Sequence, residues 1–474
     1  MGEGSWDTAP GNSKAEAERI KRAVINRCFF CSGSHTPQNR YMNTTDFKER
    51  FDHLQQTGNG LSIVREDAFR AFNQLGIPGA KHEEWKYTRI GGLFNREYLF
   101  ADTASATSFS AAKLDAVRLP GHETANELVF VNGIFSFALS TIRSAELVVL
   151  PLEEAAVNEF APVVATHLGH SAKYLKDGIN ALNTAFVEGG VFVHVKKGKL
   201  TEHPVYIYHV ADASAENVFS QPRSLVHISE NAQLQLVETY ATLGAAESFT
   251  NQVMEIVVEK DALLEFYKIQ NDTATTSQVS TTHIRQTGKS YTHIVTITLN
   301  GGIVRNNLNV VLEAEYCEAH LYGLYFQGGQ THVDNHTVVD NVKPHCLSNE
   351  LYKGVMNDKS SAVFNGKIFV QRDAQKTNAY QSNKNILLSA DASVNTKPQL
   401  EIFADDVKCS HGCTIGQLDE EGMFYLQSRG INETIARSLL VHAFAIDILE
   451  HVKPAQIRDH VNKLISERLE FDIA

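Results

Sequence analysis

Apolar and polar residues alternate along most of the chain between positions 191 and 415, as in Val191-Phe192-Val193-His194-Val195, Val205-Tyr206-Ile207-Tyr208-His209-Val210 and Met254-Glu255-Ile256. A period of two predicts strands, and almost no helical period interrupts it there. The strands are separated by small turns of one kind: Asn231-Ala232, Asp261-Ala262, Asp373-Ala374 and Asp391-Ala392. The first two turns lie 30 residues apart. The interval from Asp261 to Asp373 is one that four coils of about 28 residues would fill. This recurrence predicts a stack of coils, a β-helix, with a β-sandwich as the alternative because alternation alone does not report strand order. Leu128-Val129-Phe130-Val131-Asn132-Gly133-Ile134-Phe135 predicts a hairpin, since Asn-Gly supplies the two positive φ angles of a type I′ turn.

Helical spacing brackets this region. Phe47, Phe51 and Leu54, then Ile63, Phe69, Phe72 and Leu75, recur at three and four residues, and Gly76 and Pro78-Gly79 stop the pattern. A dense cluster follows, Lys81-His82-Glu83-Glu84-Trp85-Lys86-Tyr87-Thr88, which reads as a packing corner. A helical interlude spans 152–186. Beyond Asp419 the period is helical again: Met423, Phe424 and Leu426, a stop at Arg429-Gly430, a cap at Asn432, and faces formed by Ile435, Leu439, Ala443 and Ile446 and by Ile457, Val461 and Leu464. Such a unit is expected to cap the open end of the solenoid. The expected organisation is a leader over 1–45, a helical domain over 46–125, a β-helix over 126–415 and a helical domain over 416–474.

Composition narrows the function. Hydrophobic content of 43%, charged content of 21% and 11 prolines describe a folded, soluble chain. A formal charge of −12 opposes nucleic acid and anionic membrane surfaces as partners. No apolar run approaches the roughly 20 residues that span a bilayer. Six cysteines are too sparse for a disulfide framework and point to a reducing compartment, the cytoplasm. Cys28-Phe29-Phe30-Cys31 has metal-ligand spacing but no second pair to complete a zinc set, and the surrounding leader reads as untethered. There is no phosphate-cradling loop: Gly288-Lys289-Ser290 lacks the upstream glycine. His332, Asp334 and His336 alternate and could chelate, or serve as ordinary core or surface residues among 20 histidines. Cys317 reads as a small buried residue, and His345-Cys346 as a pair on opposite faces of a strand.

The densest set of soft ligands lies in Lys397 to Glu421. After a turn at Asp405-Asp406, a second alternating run places Val407, Cys409, His411, Cys413 and Ile415 on one strand face. Alternate positions stand about 7 Å apart, too far for the three ligands to hold one ion unaided. The row is half of a metal site, or simply a Cys and a His packed at the last coil. The acidic residues Asp405, Asp406, Asp419, Glu420 and Glu421 leave a carbohydrate-active β-helix enzyme as a second reading, although their place at a turn and a helix start lets capping explain them at lower cost.

The segment 397–431 resembles the SufB/SufD family of iron–sulfur cluster assembly proteins, on its SufD side, as do Leu75-Gly76-Ile77-Pro78 with Glu84-Trp85-Lys86-Tyr87-Thr88, Ala181-Leu182-Asn183-Thr184-Ala185-Phe186 and Ser348-Asn349-Glu350-Leu351-Tyr352-Lys353-Gly354. The matches follow the family's order over about 45–470. The resemblance implies a right-handed parallel β-helix between helical ends and a noncatalytic scaffold. Such a scaffold pairs with its paralogue SufB, or with a second copy in isolation, and binds the ATPase SufC through the C-terminal helices, where Asp419, Phe424, Tyr425, Arg429 and Gly430 are the candidate contacts. It also implies no firmly bound cofactor, a transient iron or iron–sulfur cluster at the subunit interface, and His411 with Cys409 beside it as candidate ligands. Cys413 departs from the family, which commonly has alanine there, and its role stays open. A SufB-type paralogue is the nearest alternative.

Overall fold

The computed structural model describes residues 46–56, 60–100 and 109–469. The expected leader and its Cys28 and Cys31 lie outside them. Two long sheets dominate, one of twelve strands and one of ten. Strands alternate between the sheets along the chain, and each pairs in parallel with the strand one coil away: Ser248–Val258 with Thr276–Gln286 in the larger sheet, Leu263–Asn271 with Tyr291–Asn300 in the smaller. The result is a solenoid, a β-helix of about eight coils. Register pairs such as Ser277↔Ile303 and Val191↔Ser224 set the repeat at 26 to 33 residues. The expected turn residues do their work at Asn231 and Asp261, whose φ angles are 57° and 55°. The predicted hairpin is present, Asn126–Val131 against Ile134–Phe135, with Asn132 and Gly133 at φ 51° and 90°.

The inward faces build a core of Val, Ile, Leu and Phe ladders from Leu128 to Ala404. Strands such as Val205–Asp212 are buried on both faces, however, because helices cover the sheets from outside. The helices Glu433–Leu449 and Ala455–Arg468 lay Val441, Ala445, Ile448, Ile457, Val461 and Ile465 on the outer face of the ten-stranded sheet, against Tyr267, Val295, Ile297 and Leu324. This corrects the expectation that the C-terminal helices cap the open end: their apolar stripes match an apolar outer sheet face and leave the last coil uncovered. On the other sheet, the helices Ser62–Leu75 and Gly178–Ala185 bring Phe72, Leu182 and Phe186 together with Phe219, Phe249 and Val279. Asp177 starts the second of these by accepting from the amides of Ile179 and Asn180. Among the described residues no helix is long and apolar enough to cross a membrane.

Candidate functional site at the last coil

The strand Lys408–Gly416 forms the final rung of the ten-stranded sheet and pairs on one side only, with Asn378–Leu387. Its other backbone edge is open. The turn before it is held by an ion pair between Lys376 and Asp406, with the Asp406 amide donating to Gln375 Oε1 at 2.9 Å. Parallel register sets Ala379 under Cys409, Gln381 under His411 and Asn383 under Cys413. Residues in register point to the same face, and Ala379 lies in the core. The expected row is therefore the inward-facing row of the last coil, at the point where the solenoid opens.

The three ligands differ in environment. Cys409 is half-buried and packs against the core, and this burial raises its thiol, the Ala379 backbone opposing only in part. It is a protonated thiol at neutral pH, and a soft metal ion would have to displace the proton. His411 and Cys413 are exposed, because no further coil covers them. Among the described residues no group of three or more His, Cys, Asp or Glu is placed to hold a metal ion.

Beneath this row the interior is polar. Gln381 donates from Nε2 to Glu350 Oε2 at 2.7 Å, one coil further in. Asn383 donates to Tyr325 Oη at 3.0 Å, and Asn385 donates to Asn383 Oδ1 at 2.7 Å. Deeper still, Lys268 Nζ sits 3.2 Å from Glu238 Oε2, and His209 Nε2 lies 2.9 Å from Glu238 Oε1. Burial opposes ionisation of Glu238, but Lys268 and His209 prevail and hold the carboxyl down to about 2. Sequence reasoning missed this interior chain of polar groups. Its only signal is polar residues at positions that alternation assigns inward, such as Glu238, Lys268 and Gln270.

The other candidates fall elsewhere. His336 Nε2 pairs with Asp334 at 2.9 Å, His332 Nε2 lies 2.8 Å from Thr88 Oγ1, and Arg305 donates to Asp334 at 2.8 Å, so this trio fastens the Glu84–Thr88 corner to the sheet. Cys317 and Cys346 are both buried. His345 is a correction: it lies in a turn before Leu347–Met356, at φ 61° with its ring stacked on Tyr316 at 4.8 Å, because that coil needs a left-handed residue there. Asp405 and Asp406 are exposed at a turn, and Asp419 caps the helix Glu420–Ser428 by accepting from the Glu421 amide at 3.1 Å. That helix buries no residue. Phe424 and Tyr425 are 74% and 57% exposed, Arg429 lies 5.3 Å from the Tyr425 ring centroid, and Gly430 ends the segment at φ 86°.

The family "SUF system FeS cluster assembly, SufBD core domain" matches residues 209–444, and "SufBD protein N-terminal region" matches 38–207. A SufBD family protein of iron–sulfur cluster assembly from Synechocystis is 30% identical over 85% of this chain and 90% of its own length. The chain belongs to the SufBD family. The SufBD match extends to the iron–sulfur cluster assembly protein SufD of Escherichia coli, 29% identical over 90% of this chain and 98% of that one. A chloroplastic protein of Arabidopsis thaliana, ABCI7, is 32% identical over 58% of this chain and 60% of its own. For this SufBD chain, the process is iron–sulfur cluster assembly.

Proposed function

We propose that this SufBD chain is a noncatalytic, cytoplasmic scaffold subunit of an iron–sulfur assembly complex. It pairs through its last coil with a SufB-type paralogue and offers the helix Glu420–Ser428 to a SufC-type ATPase. The observation that carries the reading is the open strand Lys408–Gly416, with Cys409 and His411 facing inward at an uncovered end. An unpaired strand edge is a template for a second chain. A second strand laid beside this one brings its own side chains into the same row and supplies the ligands that the chain alone lacks. Iron or a nascent cluster is then cargo. A thiolate and an imidazole suit it, and no firmly held cofactor is required.

Co-expression with a SufB-type and a SufC-type protein tests this. The three chains are expected to co-purify, and the complex to form clusters from iron and sulfide. His411→Ala should keep the complex and lose cluster formation. Undiminished cluster formation in that variant rejects the ligand role, and failure to co-purify rejects the scaffold. The same open edge favours a homodimer when the chain is alone, which sedimentation of the isolated protein reads directly.

A further inference from the structure

Three inward-facing side chains stack in register across the last three coils: Glu350, Gln381 and His411. An ionised Glu350 can only accept, and the order of donors along this stack is then fixed from below. Gln381 commits its amide nitrogen to Glu350 Oε2 at 2.7 Å. Its carbonyl Oε1 is buried and has no hydrogen-bond partner among the described residues. The side chain has little freedom to turn, because it is 3% exposed and closes against Gly366, where an added Cβ would come within 2.3 Å of Gln381 Nε2. A buried carbonyl without a donor is costly. The side chain at the next register position is the imidazole of His411, whose ring always carries at least one N–H.

We infer that Gln381 is a positioning residue for His411: its Oε1 accepts one imidazole N–H, which fixes the tautomer and turns the lone pair of the other nitrogen toward the open end of the solenoid. Histidines that bind metals commonly donate their second ring N–H to a carbonyl in this way. Glu350 acts one coil further in, by holding the amide so that its oxygen and not its nitrogen faces outward. The consequence for iron or cluster capture rests on the reading of His411 as a cargo ligand, whereas the hydrogen bond itself does not.

The test is the tautomer of His411 in the full-length chain labelled with 15N-histidine, its signals identified by their loss in His411→Gln. Long-range nitrogen–proton spectra at pH 8 should show one tautomer dominating in the native protein. In Gln381→Met, which keeps the shape and removes the acceptor, the ratio should relax about two- to tenfold toward that of free imidazole, the span one hydrogen bond supplies. The exchange Gln381→Glu with Glu350→Gln keeps a donor–acceptor pair between the two positions and an acceptor facing His411, and should restore the native ratio. A free-imidazole ratio already present in the native chain overturns the inference without any variant, as does an unchanged ratio in Gln381→Met. These readouts are separate from cluster formation: loss of the cargo role would leave the tautomer in place.

Discussion

The guanidinium carbon of Arg305 lies 3.8 Å above the ring centroid of Trp85, and both side chains are fully buried. The same guanidinium donates to Asp334 at 2.8 Å and to the Glu84 carbonyl at 2.7 Å. Trp85 in turn reaches Asp177 through its indole nitrogen at 3.2 Å. The N-terminal corner is thus fastened to the β-helix by one cation shared between a ring, a carboxylate and a backbone oxygen. Arg305→Ala leaves the Asp334 charge with only His336 and the Thr88 hydroxyl and uncovers the ring face. Breaking a buried pair in this way costs about 3 to 5 kcal/mol. Urea unfolding should show that loss, and a change below about 1 kcal/mol would mean the corner is held by packing alone.

Acid should loosen the outer face of the twelve-stranded sheet. His170 Nδ1 lies 2.8 Å from His283 Nε2, His194 Nδ1 lies 3.0 Å from His227 Nδ1, and His167 accepts from Arg285 at 2.8 Å. Burial, aided by nearby positive charge, lowers His167, His170 and His194 to about 4 and His283 to about 3. Each is neutral in the fold and takes a proton near 6.5 when unfolded, so its stabilisation is complete above 6.5 and drains away as pH falls toward 4. The slope is at most about 1.4 kcal/mol per pH unit for each ring, less where solvent reaches it. Urea midpoints measured from pH 7.5 down to 4.5 should fall, and His283→Asn should flatten part of that fall. A profile independent of pH would show that the rings are not held neutral.

How far the chain could be read in advance follows from which interactions are local. Period-two alternation and left-handed turn residues such as Asn132, Asn231 and Asp261 act within a few positions, so the coils and the hairpin were legible, and so was the face shared by Cys409, His411 and Cys413. What lies beside a strand is not local. Tyr206, Tyr208 and Val210 continue the apolar run of Val205–Asp212 because helices cover that outer face, yet alternation cannot say which face meets water. Alternation therefore leaves the open end as the expected seat of the C-terminal helices, whereas they lie along the sheet. The pairing of Gln381 with His411 depends on coil length, which varies from 26 to 33 residues, and a fixed period of about 28 misplaces it.

Glu350 should impose the opposite pH trend. Burial raises its carboxyl to about 7, although the Gln381 amide works against that. An acid whose folded value lies above its unfolded value of 4.5 is kept neutral by the fold. It costs nothing below 4.5, and an increasing penalty accumulates as pH rises to about 7, where it levels off near 3 kcal/mol. Glu350→Gln removes the ionisation. The difference in unfolding free energy between variant and native chain should therefore move in the variant's favour between pH 4.5 and 7 and stay constant above. A difference that does not vary with pH would show that the Glu350 carboxyl ionises freely in its place.

The exposed aromatic pair Phe424 and Tyr425 offers the sharpest separation of binding from folding. The helix Glu420–Ser428 buries none of its residues in this chain, so truncating its side chains removes little apolar area from the core. Surface changes of this kind usually stay within about 0.5 kcal/mol. Large aromatic side chains are also the residues that most often anchor an interface, where truncation costs about 2 kcal/mol or more. Phe424→Ala with Tyr425→Ala should leave the thermal midpoint of the isolated chain in place while reducing capture of a SufC-type ATPase at least roughly thirtyfold, which corresponds to about 2 kcal/mol. Titration of the ATPase onto immobilised variant and native chains gives both affinities. Equal affinities would move the docking surface away from this helix, and a lowered midpoint would show that the helix is packed more tightly than its exposure implies.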